Sequence, residues 1–359
     1  MFFTGDYMEQ KILQYLAMAK ERNASDIFIV AGLPLSFKVD GKMIPVGDRL
    51  MPSQTQEYMT HIYHLAEERP IEHFLEKGDD DFSFSIAGLS RFRVNAFRQR
   101  GSMAAVIRVI AFELPHPDQL HIPEAVMDVA NLSKGMVLIT GPAGSGKSTT
   151  MACIIDRINH TRNGHIITLE DPLEYLHRHD KCIISQREIY TDTDSYLVSL
   201  RATLRQSPDV ILLGEMRDLE TIQTAMTAAE TGHLILSSLH TTGAANTISR
   251  IMDVFPPNQQ HQIAVQLSMV LQAVISQQLV PDVDGHNIPV FEIMRVTTAI
   301  RNMIRDDKIY QIDGVIYSSS QQQMCSMDNS LLNLYRQGRI TRETALFHAT
   351  NEEMLRRKL

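Results

Sequence analysis

Residues 135 to 150 read Gly-Met-Val-Leu-Ile-Thr-Gly-Pro-Ala-Gly-Ser-Gly-Lys-Ser-Thr-Thr, and their types and spacing are those of a phosphate-binding loop. Met136 to Ile139 form an apolar run of buried-strand type, glycines then break it, and a helical pattern starts at Lys147. This is the order strand, G-x-x-x-x-G-K-[ST], helix. Gly141, Gly144 and Gly146 let the backbone fold tightly enough for its N–H groups to converge on a phosphate chain. The N-terminus of the following helix adds partial positive charge. Within Gly141-Pro142-Ala143-Gly144-Ser145-Gly146-Lys147-Ser148-Thr149, Lys147 is placed to reach β- and γ-phosphates and the Ser148 hydroxyl to ligate Mg²⁺. A chance glycine turn would not carry the strand, the three glycines and the Lys-Ser pair together. The expected ligand is a nucleoside triphosphate with Mg²⁺.

Phosphoryl transfer also needs a carboxylate to handle the metal shell or orient the attacking water. The run Asp209-Val-Ile-Leu-Leu-Gly-Glu215-Met-Arg217-Asp218 is an apolar strand that ends in an acid, and Glu215 is the candidate, with Gly214 where many such enzymes carry Asp. A second strand ends in Thr168-Leu169-Glu170-Asp171-Pro172-Leu173-Glu174. Acids at the C-terminal ends of strands are well placed for Mg²⁺ or water, because ligands of open α/β sheets gather there; acids before a proline also commonly form a plain turn. His240 follows the strand Leu234 to Ser238 and is a candidate γ-phosphate sensor. His233 begins the same strand, so it belongs at the opposite end and a neighbouring subunit is its natural partner. Arg91, Arg93, Arg98, Arg100 and Arg108 crowd one region. Solvated strand faces account for most of them, while an arginine finger acting across a subunit boundary is the sharper reading and requires an oligomer.

The elements that must position these residues track a change of pattern along the chain. Residues 8 to 22 read as a helix, Ile27 to Val30 as a strand, and Leu35, Phe37 and Val39 alternate with polar neighbours before an Asp40-Gly41 hairpin signal and Lys42 to Val46. A helix over 53–68 and alternating stretches around Phe82–Ile86, Phe92–Ala96 and 103–110 complete a small α+β domain with an antiparallel sheet, residues 1–112. The proline-rich span 113–123 reads as a linker. Residues 124–359 then alternate strand and helix in the manner of a parallel α/β sheet. Strands are expected at 136–140, 165–169, 183–185, 209–213 and 233–238, and helices at 147–160, 194–206, 219–229, 243–252 and 258–276. From about residue 297 the tail reads as mostly helical, with Ser318 to Gln323 as a loop.

Composition narrows the function classes. Of 359 residues, 44% are hydrophobic and 21% charged, as in ordinary globular proteins, and the formal net charge of −8 disfavours non-specific nucleic-acid binding. Cys153, Cys182 and Cys325 form no C-x-x-C pair, which argues against a disulfide framework or a zinc ribbon and fits a cytosolic setting. No apolar run approaches the ~18 residues of a membrane span, so membrane association is expected through a partner.

Taken together, four boxes in this order resemble the bacterial secretion ATPase superfamily of type II secretion and type IV pili. They are the P-loop (Walker A), Thr168 to Glu174 (Asp box), Gly214-Glu215-Met216-Arg217-Asp218 (Walker B), and Thr227-Ala-Ala-Glu-Thr-Gly-His233-Leu through Leu239-His240-Thr-Thr (His box). Ala299-Ile-Arg-Asn-Met-Ile-Arg-Asp306 resembles the AIRNLIRE motif of the PilT-like retraction ATPases of twitching motility, and Ser90 to Phe97, Ser185 to Glu188 and Val254-Phe255-Pro256 also fit that subfamily. The resemblance implies a PAS-like N-terminal domain, a RecA-like α/β P-loop NTPase domain with a helical C-terminal part, and a homo-hexameric ring hydrolysing ATP with Mg²⁺. It implies that Lys147 and Ser148 bind phosphates and metal, that Glu215 is the general base, and that Glu170, Asp171 and Glu174 support metal and water, with Ser148, Glu215 and Glu170 as the metal set. It further implies His233 and His240 as the His box and Arg93 and Arg108 as arginine fingers. The expected work is type IV pilus retraction, done by turning an inner-membrane platform protein from its cytoplasmic face, alone or with a second retraction ATPase. The alternatives are an assembly or type II secretion ATPase, many of which carry paired C-x-x-C elements lacking here, and a RecA-like DNA motor.

Overall fold

The computed structural model describes residues 4–39, 41–110, 114–319 and 323–359, so Asp40 of the expected hairpin, Glu113 of the expected linker and residues 320–322 lie outside the described residues. The chain divides into two units: one runs to Glu113 and includes Glu174–Leu176, and the other holds Leu114–Leu173 and His177–Leu359.

In the first unit, helix α1 (Thr4–Glu21) precedes strands β1 (Asp26–Ile29), β2 (Pro34–Val39) and β3 (Lys42–Arg49). Helices α2 (Pro52–Leu65) and α3 (Glu72–Lys77) come next, then β4 (Asp79–Ile86), β5 (Ser90–Gln99) and β6 (Ser102–Ile110). The six strands form one antiparallel sheet in the order β3-β2-β1-β6-β5-β4. Alternation decides its buried face: Phe82, Phe84, Phe92, Val94 and Ile107 join Ile12, Leu16, Tyr58 and Met59 of the helices in a single core.

A charged network is built against that core. The Asp80 side chain, 4% exposed, is held bidentately by Arg69 and accepts the Tyr63 hydroxyl at 2.8 Å. Burial alone would raise its pKa, but the hydrogen bonds from Arg69 and Tyr63 and the Arg69 charge together hold the carboxyl below the usual range. A carboxyl lowered in the folded state adds stability above its unfolded pKa and loses it as pH falls through the folded value. Asp80→Asn is therefore expected to cost roughly 2–4 kcal/mol at neutral pH and to flatten the acid limb of the stability profile below about pH 4. Thermal unfolding across pH checks this; identical transitions at pH 7 would remove the network from the account.

The second unit opens with the short helix α4 (Glu124–Met127) and strand β7 (Gly135–Thr140), which leads through the glycine loop into α5 (Lys147–Thr161). Then come β8 (Gly164–Glu170), β9 (Cys182–Glu188), α6 (Tyr196–Thr203), β10 (Val210–Leu213), α7 (Leu219–Glu230), β11 (Leu234–Leu239), α8 (Ala244–Asp253) and α9 (Pro257–Val270). Strands β12 (Leu271–Pro281) and β13 (Asn287–Arg295) precede the terminal helices α10 (Thr298–Arg305), α11 (Ile312–Ser318), α12 (Met327–Arg336), α13 (Arg342–Phe347) and α14 (Glu352–Arg356). The sheet order is β13-β12-β7-β11-β10-β8-β9, parallel except for the β12–β13 pair. Both faces are covered. Met136 and Leu138 of β7 enter one core while Val137 and Ile139 enter the other, and β10 divides in the same way.

The expected helix over 258–276 is corrected: α9 ends at Val270, and Leu271 continues as a strand. The run Leu271-Gln-Ala-Val-Ile-Ser-Gln-Gln-Leu-Val is buried on both faces, so it lacks the period-two alternation that marks a half-exposed strand. No glycine or proline stands at the break.

Candidate active site

All six residues of β7 are buried, so the loop after it springs from the middle of a packed sheet. Gly141 has φ 143°, and a Cβ there would lie 2.1 Å from the Gln277 carbonyl oxygen, which excludes any larger residue. Gly146 is left-handed and opens α5, so the positive end of that helix is at the loop. Lys147 is 8% exposed, and its Nζ donates to the carbonyls of Gly141 and Pro142 at 2.9 Å each. The ammonium thus lies across the mouth of the loop. Ser145 Oγ is buried and has no hydrogen-bond partner among the described residues.

A second group assembles where β8, β10 and β11 end. The Glu215 side chain is 13% exposed; Arg217 Nη2 meets its Oε1 at 2.6 Å and His240 Nε2 lies 3.6 Å from its Oε2. The parallel register that pairs Leu213 with Ser237 brings Glu215 and His240 to the same edge. Ser238 Oγ donates to the Gly214 carbonyl at 2.6 Å and ties the two strand ends together. Glu170 closes β8, the next strand. The Tyr196 phenol, at the start of α6, reports how these acids converge: burial raises its pKa most, and the charges of Glu215, Asp171 and Glu170 raise it further. Gly214 stands in place of an acid for a steric reason, since a Cβ there would lie 2.7 Å from the Tyr196 hydroxyl and 3.3 Å from the Leu169 carbonyl. A serine hydroxyl and carboxylates are hard oxygen donors, so Ser148, Glu170 and Glu215 suit Mg²⁺.

His233 precedes β11, its Nδ1 donating to the Ala228 carbonyl at 2.9 Å; the six-residue strand between them sets it about 23 Å from His240 at ~3.3 Å per residue. Within one chain it does not join Glu215. Glu174 belongs to the first unit. Arg93 and Arg108 are cross-strand partners on β5 and β6 of that unit. Arg93 grips Asp81 with two hydrogen bonds, at 2.9 and 2.7 Å, and Arg108 meets Asp26 at 3.1 Å. The motif Ala299–Asp306 has a structural part: Arg301 Nη1 donates to the carbonyls of Ser268 and Met269, closing the end of α9.

Three side chains of the site carry no motif signal that points to their place. Arg217 sits in the Walker B box but shows its partner only through the turn after Gly214, and Tyr196 reads as an ordinary helix aromatic. Gln277 touches the P-loop from β12, and its nearest sequence signal is the pair Gln277-Gln278 inside an apolar run.

A parallel sheet that delivers a P-loop from β7, with an acid at the end of the nearby strand β10, defines a P-loop nucleotide-binding protein. The sequence model of the type II/IV secretion system protein family matches residues 5–356, and the chain belongs to that family. It is similar to the type IV pilus retraction ATPase PilT of Pseudomonas aeruginosa, 43% identical over 93% of this chain and 96% of that protein. It is also similar to the type IV pilus ATPase PilU of the same organism, 40% identical over 95% of this chain and 89% of that one. A crystal structure of the pilus retraction motor PilT with bound ADP superposes with a TM-score of 0.89 at 45% identity, covering 96% of this chain and 99% of that one. Among the described residues no helix is long and apolar enough to cross a membrane.

Proposed function

We propose that this chain is a Mg²⁺-dependent ATPase that works as a homo-hexameric ring and drives type IV pilus retraction. The observation that carries the reading is the meeting of Glu215 with His240 at the edge of the sheet that presents Lys147 and the glycine loop. The likeness to PilT along nearly the whole chain adds the pilus. On this reading residues 141–149 cradle the phosphates through main-chain N–H groups, which Pro142 lacks, and Lys147 exchanges its two carbonyl partners for phosphate oxygens. Glu215 orients the attacking water and takes its proton once Arg217 lets go, while His240 contacts the γ-phosphate. Ser148, Glu170 and Glu215 would hold Mg²⁺, which would supply neutralisation of the charge on the phosphates. Arg93 and Arg108 act in trans from a PAS-like domain, residues 1–112, joined through 113–123 to the RecA-like domain, residues 124–359. Arg93 must then give up Asp81. The ring sits at the inner face of the cytoplasmic membrane and turns a platform protein there. Likeness to PilU supports a second reading, an accessory retraction ATPase that works beside another.

The test is ATPase activity against protein concentration, with light scattering giving the mass of the same samples. Specific activity is expected to rise as a species of about six chains appears. Activity carried unchanged by a monomer would overturn the shared-site ring and the roles given to Arg93 and Arg108.

A further inference from the structure

Gln277 is 3% exposed and stands on β12 just beyond Ser276, which pairs with Thr140 at the end of β7. It therefore lies level with Gly141, the first residue of the P-loop. Its side chain reaches two separate parts of the phosphate site. Nε2 donates to the Ser145 carbonyl at 2.7 Å, and Oε1 accepts the Thr150 hydroxyl at 2.8 Å. Ser145 is in the loop, whereas Thr150, 1% exposed, is in the first turns of α5. A third contact comes from the backbone, because the Gln277 carbonyl occupies the space a side chain at position 141 would need. One residue thus touches the start of the loop, its far limb and the helix beyond it.

The chemistry of the partners dictates a carboxamide. A main-chain carbonyl only accepts, so the group facing Ser145 must donate, and the other end must then take the Thr150 hydroxyl. A carboxylate of the same size would set negative charge against the Ser145 carbonyl and beside the phosphate site. A thioether would leave a buried carbonyl and a buried hydroxyl unpaired.

We propose that Gln277 is a positioning residue for nucleotide binding, which holds the P-loop open in its phosphate-receiving shape by bridging Ser145 to Thr150. This rests on the reading of the site as a nucleotide site. The loop grips phosphates in the ground state and the transition state alike, so loosening it removes uniform binding: KM rises and kcat stays.

Gln277→Met is expected to raise KM for ATP and Kd for ADP about tenfold while kcat stays within about twofold. The ADP-induced rise in melting temperature should shrink at fixed ADP. Gln277→Glu, which keeps size and polarity, should weaken ADP binding more than Gln277→Met does. Thr150→Val, which removes one partner and keeps Gln277, should move KM in the same direction by less, and it carries the test if the Gln277 variants fold poorly. A lower melting temperature without nucleotide, joined to wild-type KM and Kd, would reduce Gln277 to a packing role and overturn the proposal. Wild-type protein that binds neither ATP nor ADP would sink the proposed function and this inference together, whereas normal wild-type binding matched by the variants sinks the inference alone.

Discussion

Glu215→Gln is expected to keep nucleotide affinity within about threefold of wild type and to lower ATP turnover by roughly 10²–10⁴-fold, the usual contribution of a positioned general base. The amide preserves shape and can still hydrogen-bond a water, but it cannot take a proton. Glu215 follows β10, which β11 separates from β7 in the sheet, so the substitution replaces no residue of the glycine loop and leaves Lys147 in place. Folding should be nearly unaffected. The bridge lost to Arg217 involves a side chain 75% exposed, and such pairs contribute little. Titration with a fluorescent nucleotide, run beside a phosphate-release assay, separates the two effects. Wild-type turnover in this variant would show that another group activates the water.

Lys147→Ala should remove both functions, with nucleotide affinity down about a hundredfold and turnover below detection. A buried ammonium facing phosphates makes charge-assisted hydrogen bonds in a site largely screened from water; on this reading it holds bound nucleotide and stabilises the transition state still more, as charge shifts onto the oxygens it faces. The side chain has a second task in this structure, donating to the carbonyls of Gly141 and Pro142. The variant leaves those carbonyls without this donor, so its melting temperature without nucleotide should fall by a few degrees as well. Undiminished affinity in a folded Lys147→Ala protein would contradict the phosphate assignment outright.

The site has two levels of locality. The P-loop is a property of consecutive residues. Its glycines, lysine and serine act through a backbone shape that a short run of neighbouring residues can specify, and the observed left-handed φ values at Gly144 and Gly146 are those such a loop demands. Apolar runs ending in an acid or a histidine likewise point to Glu215, Glu170 and His240, because a strand's end exposes the residues just past it. The alternation in 79–110 marks an antiparallel sheet with one buried face.

Distance along the chain hides the rest. Glu215 and His240 meet only because β10 and β11 pair in parallel and in one particular register; shifting that register by one residue would turn the intervening side chains to the opposite faces. The same strand carries His233 away from the site, a separation the strand's length sets. Gln277 is 132 residues from Ser145 and 127 from Thr150, and its strand reads as a continuation of α9, since a strand buried on both faces has no polar alternation to reveal it. By itself the sequence determined the phosphate loop and the acids that end its strands, through local backbone geometry and hydrophobic period. Tertiary structure alone decided which side chains touch that loop and each other, because contacts between strands far apart in the chain depend on sheet order and register, and neither leaves a periodic mark on the residues that make them.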